Sequence, residues 1–333
     1  MELWLTLLLA LLALVFVAVV VLLCYAVARY GRISAELTPK ERMFVDPANR
    51  RGVHRQTQFP SIFDCDEDES GLVELTLVVP AYKEEKRLPE MMQQTLQYLE
   101  RHKERHSDFT YEVIIVDDGS TDGTTTTALR YVNQCGSDTV RVMTLRRNRG
   151  KGFAVRQGVL HSRGKRVLMV DADGATEIRD LQDLQDELDK MNPSDEWRDH
   201  TGFVMGSRTK KPTVDKAAKR DFKRNLAMHA FHMIVAVLMV SDIEDTQCGF
   251  KLFTRRSARL LFSQQHIDRW AFDVELCFLA HRLDVQMREV QVNWEEIPGG
   301  TIDIVWDGIR MALDMASARL MYTLSFWSIE LED

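Results

Sequence analysis

Three short stretches gather carboxylates of a kind that can do chemistry. Residues 80–85 read Pro80-Ala81-Tyr82-Lys83-Glu84-Glu85, residues 117–122 run from Asp117 and Asp118 to Asp122, and residues 171–174 read Asp171-Ala172-Asp173-Gly174. Carboxylates brought to one rim repel each other, so a cation or a hydrogen-bonding ligand is expected among them. In an extended turn, residues i and i+2 face the same side. Asp171 and Asp173 can then offer two hard oxygen ligands to one ion, which suits Mg²⁺ or Mn²⁺ with water and phosphate completing the shell. Taken singly, an Asp-x-Asp pair also serves as a turn or helix cap.

Basic residues supply the opposite charge. Residues 141–166 carry nine Lys and Arg and no acid. Within them, Asn148-Arg149-Gly150-Lys151-Gly152 leads into a helical pattern, where backbone N–H groups and the helix N-terminus favour an anion. Arg149 and Lys151 are read either as phosphate contacts or as part of a solvated basic face. A second cluster follows Gly206-Ser207-Arg208 and includes Lys210, Lys211, Lys216, Lys219, Arg220, Lys223 and Arg224. It suits an anionic headgroup, and more sharply a phosphorylated lipid. His229 and His232 lack partners at ligand spacing and are read as packing residues. Asp273 and Glu275, taken by themselves, are read as ordinary helix-surface or capping carboxylates.

Elements of two periods must position these residues. Short β-rich runs at 75–79, 112–116, 140–145, 166–170 and 202–205 alternate with helical spacing at 88–105, 123–134, 150–161 and 179–191. Such alternation predicts an α/β fold with a mostly parallel sheet and helices on both faces. Ligands of such sheets bind beyond the carboxyl ends of the strands, and each carboxylate stretch lies there.

Residues 3–27 hold no charge, and as a helix of 1.5 Å per residue they would span about 37 Å, enough for a bilayer. Glu2 precedes them, whereas Arg29, Arg32, Lys40 and Arg42 follow, so an uncleaved anchor with the remaining chain in the cytosol is expected. The mean hydropathy of -0.22 excludes a multi-span protein. A net charge of -7 argues against nucleic acid as a partner. The five cysteines form no C-x-x-C pair, which argues against a zinc site or disulfide framework and for a reducing compartment. The expected organisation is an anchor at 1–30, an irregular arm at 31–73, a catalytic domain at 74–300 and a membrane-proximal helical segment at 301–333. In that last segment Trp306, Ile309, Leu313, Met321 and Phe326 suggest an amphipathic helix.

The motifs together resemble glycosyltransferase family two. They are Pro80-Ala81-Tyr82-x-Glu84, Val116-Asp117-Asp118-Gly119-Ser120-x-Asp122, Asn148-x-Gly150-x-Gly152, Asp171-Ala172-Asp173, Gly206-Ser207-Arg208 and residues 248–253. The resemblance covers about residues 74–300. It implies a GT-A fold and transfer of glucose from UDP-glucose to dolichyl phosphate with inversion, at the endoplasmic reticulum membrane with the active site in the cytosol. By the same resemblance Pro80, Tyr82, Glu84, Asp117 and Asp118 line the nucleotide pocket. Asp171 and Asp173 hold the metal, Arg208 and Arg224 face the phosphates of donor or acceptor, and Asp273 lies near the acceptor. Mannose-transferring relatives carry Gln two residues after the second Asp of the metal motif, where this chain has Ala175. A GDP-mannose enzyme of the same fold is one alternative. A membrane-tethered scaffold without activity is another, although it has no need of Asp117, Asp118, Asp171 and Asp173 together.

Overall fold

The computed structural model describes residues 2–30, 36–46, 55–64, 71–194, 196–208, 239, 243–299 and 304–330. Helix α1 (Glu2–Tyr30) is the uncharged run, and its stretch Ala10–Tyr30 is long and apolar enough to cross a membrane. Most of its side chains are exposed, but Ala26 is buried in the protein core. The segment expected to be an irregular arm holds a two-stranded antiparallel pair, β1 (Met43–Asp46) with β2 (Arg55–Gln58). Phe44 and Phe59 anchor it beneath Arg141.

A seven-stranded sheet forms the centre. Its strands are β3 (Val73–Ala81), β4 (Tyr111–Asp117), β5 (Val140–Thr144), β6 (Gly164–Met169), β7 (Phe203–Ser207), β8 (Lys251–Thr254) and β9 (Met287–Gln291), in the order β5-β4-β3-β6-β8-β7-β9. All pairings are parallel except those of β8, which runs antiparallel to both β6 and β7. β4 is buried at every position, and β3 at most of them, as expected of strands covered on both faces.

Helix α2 (Leu88–Arg105) starts with Pro in its first turn and buries Leu88, Met91, Met92, Thr95 and Leu99, a stripe at helical spacing. Helices α3 (Thr124–Cys135), α4 (Lys151–Leu160) and α5 (Leu181–Met191) follow β4, β5 and β6. Helices α6 (Arg255–Ser263) and α7 (Phe272–Arg282) cover the same face as α4. Each face of the sheet thus has its own hydrophobic core.

The last helix, α8 (Ile304–Thr323), packs against α1 and α7. Met311, Met315, Ala318 and Met321 are buried, whereas Trp306, Ile309, Leu313 and Phe326 are exposed. Its buried Asp314 accepts hydrogen bonds from Tyr25 Oη at 3.0 Å and Arg29 Nε at 3.2 Å, tying α8 to α1.

The chain runs outward from β3 through β4 to β5, then crosses back to place β6 on the other side of β3. This reversal makes a switch point between β3 and β6. β3 and β4 stay paired as far as Ala81 and Asp117, but β3 and β6 part after Val78 and Met169. Pro80, which has no N–H to donate, lies where that pairing has ended. The seam therefore opens between residues 80–84 and 171–173.

Candidate functional site

The structure gathers most of the expected residues around this seam. Glu84, just after β3, is nearly buried, and Arg87 grips its carboxylate through Nε at 2.7 Å and Nη2 at 2.5 Å. Burial raises the Glu84 carboxyl above its usual range despite that partner. Arg87 also stands 3.8 Å from Asp173 Oδ2, so it links the two sides of the seam. Pro80 and Tyr82 are half-buried on the β3 side.

Asp117 and Asp118 end β4 and are buried. Asp117 accepts Ser120 N–H at 2.9 Å and the Thr125 hydroxyl. Asp118 accepts the N–H groups of Arg149 at 2.7 Å and Gly150 at 2.8 Å, fastening the loop that enters α4. Gly150 has φ +115°, which favours glycine. Burial raises the Asp118 carboxyl to about 6, against the pull of those two N–H donors. In the structure both carboxylates are engaged with the protein's own loops, so they fix the turns that follow β4 and β5.

Asp171 and Asp173 follow β6 and remain partly open to solvent. Asp173 Oδ1 accepts Ala175 N–H at 3.0 Å. Asp171 Oδ1 lies 2.6 Å from Lys151 Nζ. Beside it is Gly249, where a Cβ would come within 2.1 Å of Asp171 Oδ2, so a side chain there would displace the carboxylate. The donor set suits a hard divalent cation: two carboxylates at i and i+2, open to solvent, with phosphate and water left to complete the shell. No cluster of three or more metal-ligating side chains occurs among the described residues, and Ala175 offers no third ligand.

Arg208, just after β7, donates through Nε and Nη2 to Asp245 at 2.7 Å each, and its guanidinium lies 5.4 Å from the Trp294 ring. Burial works against the Asp245 carboxylate, but Arg208 outweighs it and holds the carboxyl below its usual range. Arg208 is thus oriented by a carboxylate that no spacing in the sequence announces. Asp273, expected near an acceptor, is buried in the first turn of α7, where its Oδ1 meets Lys251 Nζ at 2.5 Å. The Lys251 ammonium is fully buried and also donates to the Cys248 carbonyl at 2.5 Å. Glu275 is likewise inside, accepting the N–H groups of His266 and Ile267 and the Tyr322 hydroxyl. A carboxylate on a surface helix turn is the wrong picture for either residue.

Arg87 and Asp245 escape sequence reasoning, and Lys251 enters it only as part of the 248–253 motif, with no role assigned. Arg87 had one signal, its place just before a Pro-marked helix start. Arg224, His229 and His232, with every other residue named in the second basic cluster, lie outside the described residues.

The chain belongs to glycosyl transferase family 2, whose model matches residues 76–244, and is by that membership a glycosyltransferase. The fold is the expected GT-A α/β architecture. The chain is 41% identical over 315 residues to the dolichyl-phosphate beta-glucosyltransferase of Dictyostelium discoideum, covering 95% of this chain and 93% of that one. It is 44% identical over 291 residues to the dolichyl-phosphate beta-glucosyltransferase of Homo sapiens, covering 87% and 86%. A solved glucosyl-3-phosphoglycerate synthase from Mycobacterium tuberculosis, in complex with Mn2+, UDP-glucose and phosphoglyceric acid, is 15% identical with a TM-score of 0.48, over 78% of this chain and 81% of that one.

Proposed function

We propose that this enzyme transfers glucose from UDP-glucose to dolichyl phosphate with inversion, giving a β-linked glucosyl phosphate lipid for lipid-linked oligosaccharide assembly in N-glycosylation. One observation carries the proposal. An open seam at the sheet's switch point presents Asp171, Asp173, Lys151 and Arg87 together, in a chain 41% identical over nearly its whole length to a protein named for that activity.

The acceptor phosphate is an anion at neutral pH, its second pKa being about 6, so it attacks C1 of the sugar without a protein base. The protein must then align two anionic substrates and stabilise the leaving diphosphate. Pro80, Tyr82 and Glu84 form the nucleotide side of the pocket, and Asp117 and Asp118 hold its loops. Lys151 serves the diphosphate. Arg208, oriented by Asp245, and Arg224 hold phosphate on the acceptor side. Asp273 positions Lys251 beneath the site. A Mg²⁺ or Mn²⁺ ion held by Asp171 and Asp173 would neutralise charge developing on the leaving group.

Residues 1–30 form a single-pass anchor and residues 301–333 a membrane-proximal segment, around a catalytic domain at 74–300. The basic flank after the anchor favours a cytosolic catalytic domain, at the endoplasmic reticulum membrane.

Radiolabelled UDP-glucose and GDP-mannose, each supplied with dolichyl phosphate to the full-length protein, test this function. Label is expected in lipid from UDP-glucose alone. Label from GDP-mannose alone would make it a mannosyltransferase, and label from neither would overturn the proposal. Asp173→Asn, which removes one hard anionic ligand, should lower kcat by about a thousandfold with little change in melting temperature.

A further inference from the structure

The contact that singles itself out is between Lys151 and Asp171. Lys151 is the first residue of α4, and its side chain reaches across the seam to Asp171 Oδ1 at 2.6 Å. The ammonium stands in the field of three carboxylates. Asp171 contributes most to that field, followed by Asp273 and Asp173. The Trp270 ring closes another side at 5.8 Å. Gly249 lies beside the same carboxylate, and a Cβ built there would come within 2.1 Å of Asp171 Oδ2.

A monovalent cation therefore already occupies one oxygen of a carboxylate whose chemistry suits a dication. The local charges weigh in the same direction. Asp273 is neutralised by Lys251, and Arg87 bridges Glu84 and Asp173. A dication added to Asp171 and Asp173 without an accompanying anion would face the Lys151 ammonium and the Arg87 guanidinium at short range. A diphosphate changes that balance, since it offers Lys151 new anionic oxygens while ligating the metal itself. Lysine suits such a move, being a compact charge on a flexible four-carbon stem.

We infer that Lys151 is the resident counter-ion of Asp171, and that a divalent cation gains Asp171 only when a nucleotide diphosphate draws the ammonium away. The inference rests on the metal role proposed for Asp171 and Asp173. It adds that metal and donor bind as a linked pair, with Lys151 as the positioning residue that enforces the linkage. A free pool of divalent metal would then leave the empty enzyme largely unloaded.

Mn²⁺ binding to the full-length protein in detergent, followed by electron paramagnetic resonance, tests this without any turnover. The wild type should bind Mn²⁺ weakly alone and much more tightly with UDP. Lys151→Met should bind Mn²⁺ alone about tenfold or more tightly than the wild type, because a nearby positive charge has gone. It should also lose most of the tightening by UDP. Lys151→Arg, which keeps the charge, should hold nucleotide-free binding near the wild-type value. Unchanged or weaker nucleotide-free binding in Lys151→Met, with Mn²⁺ still bound by the wild type, would overturn the counter-ion role and leave the metal site standing. Equal Mn²⁺ affinity of the wild type with and without UDP would do the same, and needs no variant. Failure of the wild type to bind Mn²⁺ under either condition would remove the metal role and this inference together.

Discussion

On the β4 side of the seam, Asp117 and Asp118 are satisfied by backbone N–H groups and a hydroxyl of their own loops. On the β8 side, Lys251 and Asp273 are satisfied by each other and by one carbonyl, inside the core. Both are buried acidic sites beside the same cleft, yet they hold charge by different means. A carboxylate bonded to loop N–H groups shapes a local turn, and its loss leaves only neutral donors unpaired. A buried ion pair joins a strand to a helix, and the loss of one partner leaves a full charge in a medium that cannot solvate it. Mutations on the first side should therefore be felt mainly in binding, and those on the second mainly in stability.

The sharpest test of that difference is Lys251→Met, which strands Asp273 and should cost about 3–5 kcal/mol in denaturant unfolding. Adding Asp273→Leu should return most of the loss, because the uncompensated charge goes with it. A single variant as stable as the wild type would erase the distinction between the two sides. Next in size is Asp118→Ala, which releases the N–H groups of Arg149 and Gly150 and should cost about 1–3 kcal/mol. Its larger signature should be weaker UDP-glucose binding by calorimetry, since the loop entering α4 loses its tether. Stability lost with donor affinity intact would place Asp118 with the ion-pair side.

The smallest effect belongs to Asp268, in the segment between the two regions, whose carbonyl accepts Phe153 N–H at 2.8 Å. Burial raises its carboxyl from 3.8 to about 6. An acid with a raised folded pKa binds protons more tightly when folded, so its contribution is present below pH 4 and is lost as pH rises through 6. Asp268→Asn cannot ionise. Its stability relative to the wild type should increase between pH 4 and pH 6.5 by on the order of 1 kcal/mol, with allowance for solvent screening. A flat difference across that range would mean that Asp268 ionises without strain.

Periodicity made five of the seven strands of the sheet legible. The strands expected at 75–79, 112–116, 140–145, 166–170 and 202–205 correspond to β3 to β7 within a few residues, and the helix expected at 88–105 is α2. β8 was hidden because it is four residues long and begins with Lys251, and a charge at a central position contradicts the pattern of a buried strand. β9, at the sheet edge, reads MREVQ and is only half-buried, so its alternation is diluted by charge. The carboxylates of the site were visible because they follow strongly patterned strands. Their partners were not. Asp245 lies 37 residues from Arg208, and Lys251 lies 22 from Asp273, and only the folded chain brings such pairs together. Sequence reasoning found where charge is delivered, and the fold decided how it is neutralised.

The tie between α1 and α8 has a consequence for the order in which the molecule is completed. Arg29 and Asp314 are 285 residues apart, so the first helix leaves the ribosome long before its partner is made. At about 5–20 residues per second, that interval is roughly 15–60 s. Throughout it, the catalytic sheet can assemble while Tyr25, Arg29 and the face around Ala26 wait uncovered. Only the emergence of α8 closes the structure, and a nascent chain halted before residue 304 would lack that closure. Such a product would present the quality-control machinery with an open polar notch beside an apolar helix, and should be the form of this protein most quickly degraded in the cell.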